Sequence, residues 1–381
     1  LVAERFISQK LKFQGNVAAV AIAVSFFVII VAVAVSSGFT HSIREGLAAM
    51  TGDIRITPYV GASADPVPMP MHLPSEDALL AVPGVRSIQA AAVRAGIVKN
   101  GDIVHGVVVK GIERADSALT VSIPHRLSEI TGLGVGDDMT TYFIGEKVRV
   151  RKFRITAVHR DLLELDDNLF VYANLPDIQR LNGWNEDQVS CLDVRLKENA
   201  SMQAAAATIG NLLLGSGHPE EEGLYISSSE DSYPQVFDWL KLLDFNVVVI
   251  LLLMTVVAGF NMVSGLLIML LRNVATVGTL KTLGMSDRAV GRLFVRIGAG
   301  AVLKGMIVGN VLALLFCLVQ GTTHLIPLDP ANYFVSWVPV HINILWVLLA
   351  DAAAFAGILA LVWLASRAVS AIDPAKTVKA D

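Results

Sequence analysis

Gly259 to Ile297 reads GFNMVSGLLIMLLRNVATVGTLKTLGMSDRAVGRLFVRI: an apolar helix, a short basic elbow and a second apolar helix. Within the elbow, Gly278 and Gly284 punctuate a helix of moderate propensity. Lys281, Arg288 and Arg292 give it a cationic side, while Val277, Leu280, Leu283 and Met285 give it apolar knobs. A short helix of this kind, lying parallel to a membrane, can seat in a groove on a partner protein. On residue types alone a solvated connector is the plainer reading.

The composition around this segment sets the class. Of 381 residues 54% are hydrophobic, too many for a soluble domain of this length, and 17% are charged, too many for a wholly embedded bundle. The chain is therefore part membrane and part water. A net charge of -4 provides no basic field for nucleic acid. Cys317 lies inside an apolar run, so a stabilising disulfide with Cys191 is not expected.

Apolar runs at Val17 to Ser37, Phe245 to Leu271, Phe294 to Gln320 and Ile342 to Ala365 each reach the roughly 20 residues needed to cross about 30 Å of hydrocarbon. Arg5, Lys10 and Lys12 precede the first run. Arg272, Lys281, Arg288, Arg292 and Arg296 lie in or beside the elbow, and Arg367, Lys376 and Lys379 follow the fourth run. Gly321 to His341 contains no Lys or Arg. This asymmetry predicts that both termini and the elbow are cytoplasmic, with residues 40–240 outside. The first run is longer than the apolar part of a signal peptide, and Ser36-Ser37-Gly38-Phe39 is a poor cleavage site, so it is read as a retained span. The chain opens on Leu1 rather than Met, which is compatible with a few residues preceding it. Val2, Phe6, Ile7 and Leu11 alternate with Glu4, Arg5, Lys10 and Lys12, which suits an amphipathic interfacial helix or an ordinary basic flank.

Strand patterns dominate between the first two spans. Asp53 to Thr57 alternates, residues 58–74 are rich in Pro and Gly, and Ser75 to Ala81 reads as a capped helix. Val85 to Val98 and Ile103 to Ile112 flank an Asn100-Gly101 step, a hairpin signal, and close a first unit. A second unit opens at Leu133 to Asp137. Its strands are Met139 to Ile144, Val148 to His159, Leu169 to Tyr172, Val189 to Leu196 and Leu224 to Ser228, with helices after Asn174 and from Ala200 to Leu214. Tyr233 to Leu243 reads as a stalk helix entering the second span.

The predicted fold is thus membrane α-helical, with four transmembrane helices and a large α+β extracytoplasmic domain of two subdomains between helices 1 and 2. The boundaries are an interfacial helix at 1–15, a first span at 16–39 and the external domain at 40–232. Stalk and second span follow at 233–271, the elbow helix at 272–293, the third span at 294–320, an external loop at 321–341, the fourth span at 342–366 and a cytoplasmic tail at 367–381.

Catalytic motifs are missing. The chain has no Gly-Lys step and hence no P-loop, so any ATP must be hydrolysed by a separate subunit. Gly-x-Ser-x-Gly, His-Glu-x-x-His and Cys-x-x-Cys are absent too. The eight histidines, His105, His125 and His159 among them, lack ligand spacing, and the acidic cluster Asp161, Glu164, Asp166 and Asp167 lacks the glycine of a calcium loop. No metal is expected. Inside the membrane, Lys304 and Asp351 fall at similar depth on consecutive antiparallel spans, where an unpaired charge costs at least roughly 2.5 to 3.5 kcal/mol. Depth predicts that they pair; snorkelling of Lys304 is the alternative.

The pattern FNMVSGLL...VGTLKTLGMSDRAVGRLFVRIG resembles the lipoprotein-releasing (LolC/LolE-type) permeases of the MacB/FtsX group of ABC transporters. Weaker likenesses extend along the chain at Pro124 to Leu127, Leu133 to Asp137, Asp166 to Tyr172, Ile178 to Leu181, Asn332 to Phe334, Val338 to Val340 and Ile372 to Ala375. The resemblance implies an inner-membrane permease subunit with a periplasmic domain, which couples a LolD-like ATPase to extraction of lipoproteins. It also implies a second permease, identical or homologous, and membrane lipids as partners. No cofactor is implied for this chain, since ATP and Mg belong to the ATPase, and no catalytic activity.

The elbow residues Thr276, Val277, Gly278, Leu280, Lys281, Thr282, Leu283, Gly284, Met285 and Arg288 match the coupling helix. Spans one and two would line a lipid cavity, with Phe26, Phe27, Val31, Met254, Phe260 and Met262 as candidates. Two departures stand out. Arg272-Asn273-Val274-Ala275 replaces a more acidic turn, and Phe143 to Val148 turns too tightly for a protruding hook, which implies either the hookless, LolE-like partner or a different exit for the cargo. An FtsX-like scaffold activating an envelope hydrolase is an alternative, weakened by the large external domain. MacB-like efflux is another, weakened by the absence of a fused ATPase. A membrane-anchored enzyme would need a catalytic constellation.

Overall fold

The computed structural model describes residues 15–59, 66–113, 117–145, 148–159, 169–198, 200–272 and 274–370. The interfacial helix expected at 1–15 lies outside the described residues except for Gly15, as do the acidic cluster at 161–167 and the tail from residue 371.

In chain order the first elements are α1 (Gly15–Thr51), β1 (Ile54–Pro58), β2 (Met69–Pro70), α2 (Glu76–Leu80), β3 (Val85–Asn100), β4 (Ile103–Ile112), β5 (Thr120–Pro124) and α3 (His125–Thr131). Next come β6 (Asp138–Phe143), β7 (Arg149–His159), β8 (Phe170–Asn174), α4 (Leu175–Asn182), β9 (Gln188–Val189), β10 (Cys191–Leu196), α5 (Met202–Gly215) and β11 (Leu224–Ser228). The chain continues with α6 (Ser229–Ser232), α7 (Pro234–Arg272), α8 (Val274–Thr282), α9 (Asp287–Thr323), α10 (Pro330–Tyr333) and α11 (Ile344–Ser370). Among the described residues, four helices are long and apolar enough to cross a membrane: Ala19–Thr51, Pro234–Arg272, Arg288–Thr323 and Ile344–Ser366. Two compact units result. A helix unit comprises Leu1–Thr40, Trp239–Pro327 and Trp337–Asp381; a sheet unit comprises His41–Asp238 and Leu328–Ser336.

In the sheet unit the strands run β11-β1-β10-β3-β4-β8-β5-β7-β6, and β6 returns to pair with β3. The sixteen-residue β3 serves two sheets. Its first half, Val85 to Ala91, pairs with β10, and its second half, Ala92 to Asn100, pairs with β4. Ile97 and Val98 also pair with Tyr142 and Thr141, which closes β3-β4-β8-β5-β7-β6 into a ring. The changeover is visible in burial: Ala91 and Ala92 are both fully buried although they are neighbours on a strand, so the inward face switches there. Ser190 braces the switch, with its Oγ accepting from Val93 N at 2.7 Å.

This topology corrects the division of the external domain by chain order. β10 and β11 return to the subdomain of β1 and the first half of β3, while residues from Ala92 to β8 form the second. The sequence reading also lacks β5, α3 and β2. The Asn100-Gly101 hairpin does form, with Gly101 at φ +58 and Asn100 opposite Ile103. Inside the ring lie Val98, Val109, Val121, Ile123, Met139, Phe143, Phe153, Ile155 and Val171, with Phe143 and Phe153 edge to face at 6.4 Å. On the other sheet, Met202, Ala205, Ile209 and Leu213 form the buried stripe of α5.

Two of the buried charged residues, Lys110 and Asp193, form a group with the partly buried Arg55. Arg55 on β1 donates through Nε to Asp193 Oδ1 at 2.7 Å and through Nη2 to Oδ2 at 3.1 Å. Lys110 on β4 donates to the same Oδ2 at 2.6 Å and to the Met50 carbonyl, in the last turn of α1, at 2.8 Å. Cys191 lies nearby and is buried; burial, then the Asp193 carboxylate, pushes its thiol up to about 12 from an ordinary 9.0.

The fold therefore holds this thiol protonated. Because the folded value is the higher one, the associated stability is present below pH 9 and is lost as pH rises toward about 12. Within that window the folding equilibrium of the wild type should fall by roughly tenfold per pH unit relative to a Cys191→Ala variant. Denaturant titrations at several alkaline pH values measure this, and parallel slopes in the two proteins would refute it.

In the helix unit, Ala350, Ala354, Ile358 and Val362 run down one face of α11 at four-residue intervals and meet Ile22, Phe26, Ile29 and Ile30 of α1 in a common core. Ala258, Met262 and Leu266 of α7 and Val302 and Ala313 of α9 complete it.

Candidate coupling elbow and membrane interior

The elbow consists of two helices with a break between them. α8 ends at Thr282; Leu283 N still donates to Thr279 O at 3.1 Å, after which Gly284 takes φ +94 and stops the helix. Ser286 has extended backbone, φ -72 and ψ 156, and α9 starts at Asp287, with Ala289 N and Val290 N donating to Ser286 O. Arg288 and Arg292 therefore belong to the opening turns of the third span helix rather than to a single elbow helix over 272–293. The physical reason is Gly284, whose left-handed backbone separates two runs of otherwise similar propensity.

The break sorts the elbow side chains. Met285 is half-buried against the helix core, followed by the buried Val290 and Phe294. Thr276, Thr282, Gly284 and Arg288 are exposed and Gly278 is half-buried. Leu283 is 80% exposed, a large apolar side chain at the apex of the turn. Arg288, Arg292 and Arg296 are all exposed at four-residue spacing, which places them in one row along α9. Val277, Leu280 and Lys281 fall within α8, and their side chains lie outside the description.

The six cavity candidates do not share a surface within this chain. Phe26 and Met262 are sealed in the helix core, at 0% and 3% exposure, and are corrected from cavity-lining to packing residues. Phe27, Val31 and Met254 are half-buried around that core, Phe27 packing edge to face on Phe316 at 5.9 Å. Phe260 is 64% exposed, on an outward face of α7 that also carries Leu252, Leu253 and Val256.

The expected Lys304–Asp351 pair is also corrected. Asp351 is buried and accepts from Asn310 Nδ2 at 2.5 Å, whereas Lys304 occupies an exposed position on α9. Depth was compatible with pairing, but helical phase was not: six residues separate Lys304 from Asn310, which turns it about 120° away around the helix axis.

Two glycines were missed by the sequence reading. A Cβ on Gly309 would lie 2.4 Å from the Ala23 carbonyl oxygen, and one on Gly305 would lie 2.9 Å from the Ala19 carbonyl oxygen. The backbones of α1 and α9 thus meet directly across Gly305-Met306-Ile307-Val308-Gly309. This is the small-x-x-x-small spacing, a signal readable from the sequence.

A family model described as MacB-like periplasmic core domain matches residues 16–212, and one described as FtsX-like permease C-terminal matches residues 248–374. The lipoprotein-releasing system transmembrane protein LolE of Haemophilus influenzae is 24% identical over 393 residues, an alignment covering 94% of this chain and 92% of that protein. Among solved structures, the periplasmic region of MacB from Actinobacillus actinomycetemcomitans aligns with a TM-score of 0.32 at 14% identity, covering 50% of this chain and 95% of that one. The extracellular domain of the noncanonic ABC-type transporter YknZ from Gram-positive bacteria aligns with a TM-score of 0.29 at 13% identity, covering 46% and 99%. The two family models follow one another along the chain, the first over α1 and most of the sheet unit, the second over the remaining spans: the chain belongs to the MacB/FtsX group of ABC transporter permeases.

Proposed function

We propose that this chain is the non-catalytic permease subunit of an inner-membrane ABC transporter that couples ATP binding and hydrolysis on a partner ATPase to extraction of lipoproteins toward the outer membrane. The observation that carries the reading is the likeness to LolE, which extends over 94% of the chain rather than over one domain. In this reading the sheet unit is periplasmic, the termini and elbow are cytoplasmic, and a second permease, identical or homologous, completes the assembly. ATP and Mg are held by the ATPase. The pairing of β6 and β7 out to Phe143 opposite Arg149 leaves only residues 144–148 to connect them, which supports a hookless, LolE-like role.

The elbow supplies the contact with the ATPase. Leu283 is an exposed apolar knob beside the cationic row of α9, the combination expected of an anchor that enters a groove. Leu283→Asp is expected to weaken association with the ATPase by about 2 kcal/mol, roughly thirtyfold, while the detergent-purified chain keeps its thermal stability. Unchanged association would remove the elbow from the interface. For the cargo, the reconstituted complex should release an acylated lipoprotein from vesicles on addition of ATP. Recovery of a stoichiometric envelope hydrolase with no acylated cargo would instead favour a signalling scaffold.

A further inference from the structure

Asp351 and Asn310 form a polar pair inside the apolar helix unit, joining α11 to α9. Asp351 is 7% exposed, and its Oδ2 accepts from Asn310 Nδ2 at 2.5 Å. The other oxygen of each group, Asp351 Oδ1 and Asn310 Oδ1, is buried with no hydrogen-bond partner among the described residues. Both orphaned atoms are acceptors, and they belong to the same two side chains. The charged residues on the packed helices do not resolve this. Lys304 is exposed and about 9 Å along α9 from Asn310, Asp244 of α7 accepts from Ser36 Oγ of α1 at 2.5 Å, and the arginines of α9 lie in its opening turns. Cys317, a buried titratable side chain on α9, lies two turns further along.

We propose that Asp351 is a proton-binding site, carried at neutral pH as an uncharged carboxylic acid that forms a two-hydrogen-bond acid–amide pair with Asn310. One proton taken from water onto Oδ1 supplies the donor that both orphaned oxygens lack, through Oδ1–H to Asn310 Oδ1, while the amide continues to donate to Oδ2. It also removes a charge from a region where an unpaired carboxylate is strongly disfavoured. A bound cation would use the same oxygens, but it needs about six or more oxygen ligands, and among the described residues this pair offers two free ones. The pair is thus a neutral clasp between the third and fourth spans.

Infrared difference spectra of the full-length chain in lipid nanodiscs, wild type minus Asp351→Asn, test this at pH 7. A carboxylic-acid carbonyl stretch present in the wild type and absent from the variant is expected. Carboxylate bands in its place would overturn the proposal. The exchanged double variant, Asn310→Asp with Asp351→Asn, should restore the acid band, because it keeps one acid and one amide; it also guards against misfolding of the single variant. Loss of the band on adding sodium, together with sodium-dependent thermal stabilisation, would assign the site to a cation and overturn it as well.

Discussion

Asp193→Ala is expected to destabilise the extracytoplasmic domain by about 3–5 kcal/mol, the cost of removing one partner from a buried ionic group. Lys110 and Asp193 each expose only 3% of their side chain, and Arg55 holds both carboxylate oxygens. Without Asp193, two cations remain in an apolar site with no counter-charge. Lys110→Met should cost less, because the bidentate Arg55–Asp193 contact survives, although the Met50 carbonyl at the end of α1 loses its donor. Urea denaturation of the full-length protein in detergent, following signals from the sheet domain, separates the two variants. An Asp193→Ala protein within about 1 kcal/mol of wild type would show that water reaches the group.

The second large effect is expected at Gly309. Its would-be Cβ meets the Ala23 carbonyl oxygen at 2.4 Å, Phe26 Cβ at 2.9 Å and Phe27 N at 3.1 Å, so two of the three obstacles are backbone atoms that cannot rotate away. Gly309→Leu must push α1 and α9 apart. Overpacking typically costs about 1–3 kcal/mol, and here the displaced elements are entire spans. Gly300→Ala on the same helix is the control: nothing lies within 4 Å of its Cβ position, and alanine in a helix is favoured over glycine by about 1 kcal/mol. Size-exclusion profiles after heating detergent extracts should show Gly309→Leu lost at temperatures that Gly300→Ala survives. Equal survival would mean that the two spans do not pack through this motif.

Much of the architecture could be read from local signals. Apolar runs of sufficient length locate the spans, and Asn100-Gly101 between alternating segments locates a hairpin, because both depend on neighbouring residues only. Ring closure by β3 and β6 does not, since Ile97 meets Tyr142 across a long stretch of chain. Nor does the return of β10 to β1, where Val194 meets Ile54. The Arg55–Lys110–Asp193 group escaped notice for the same reason, each member being an ordinary charge on its own strand. At Lys304 and Asp351 depth along the helix permits pairing, and rotation about the helix axis forbids it. Leu283 stood out as one apolar knob among several in the elbow, but its isolation at the apex depends on the backbone turn at Gly284.

β3 belongs to both sheets of the extracytoplasmic domain, and this determines how the domain comes apart. Its amides from Val85 to Asn100 are held by β10 at one end and by β4 and β6 at the other, so neither sheet can dissolve without freeing a strand of its neighbour. Such a domain should lose structure in a single step instead of shedding one lobe first. In amide hydrogen exchange, the centre of β3 around Ala91 and Ala92 should exchange at the rate of global opening, and a protease acting on the native domain should yield no long-lived half.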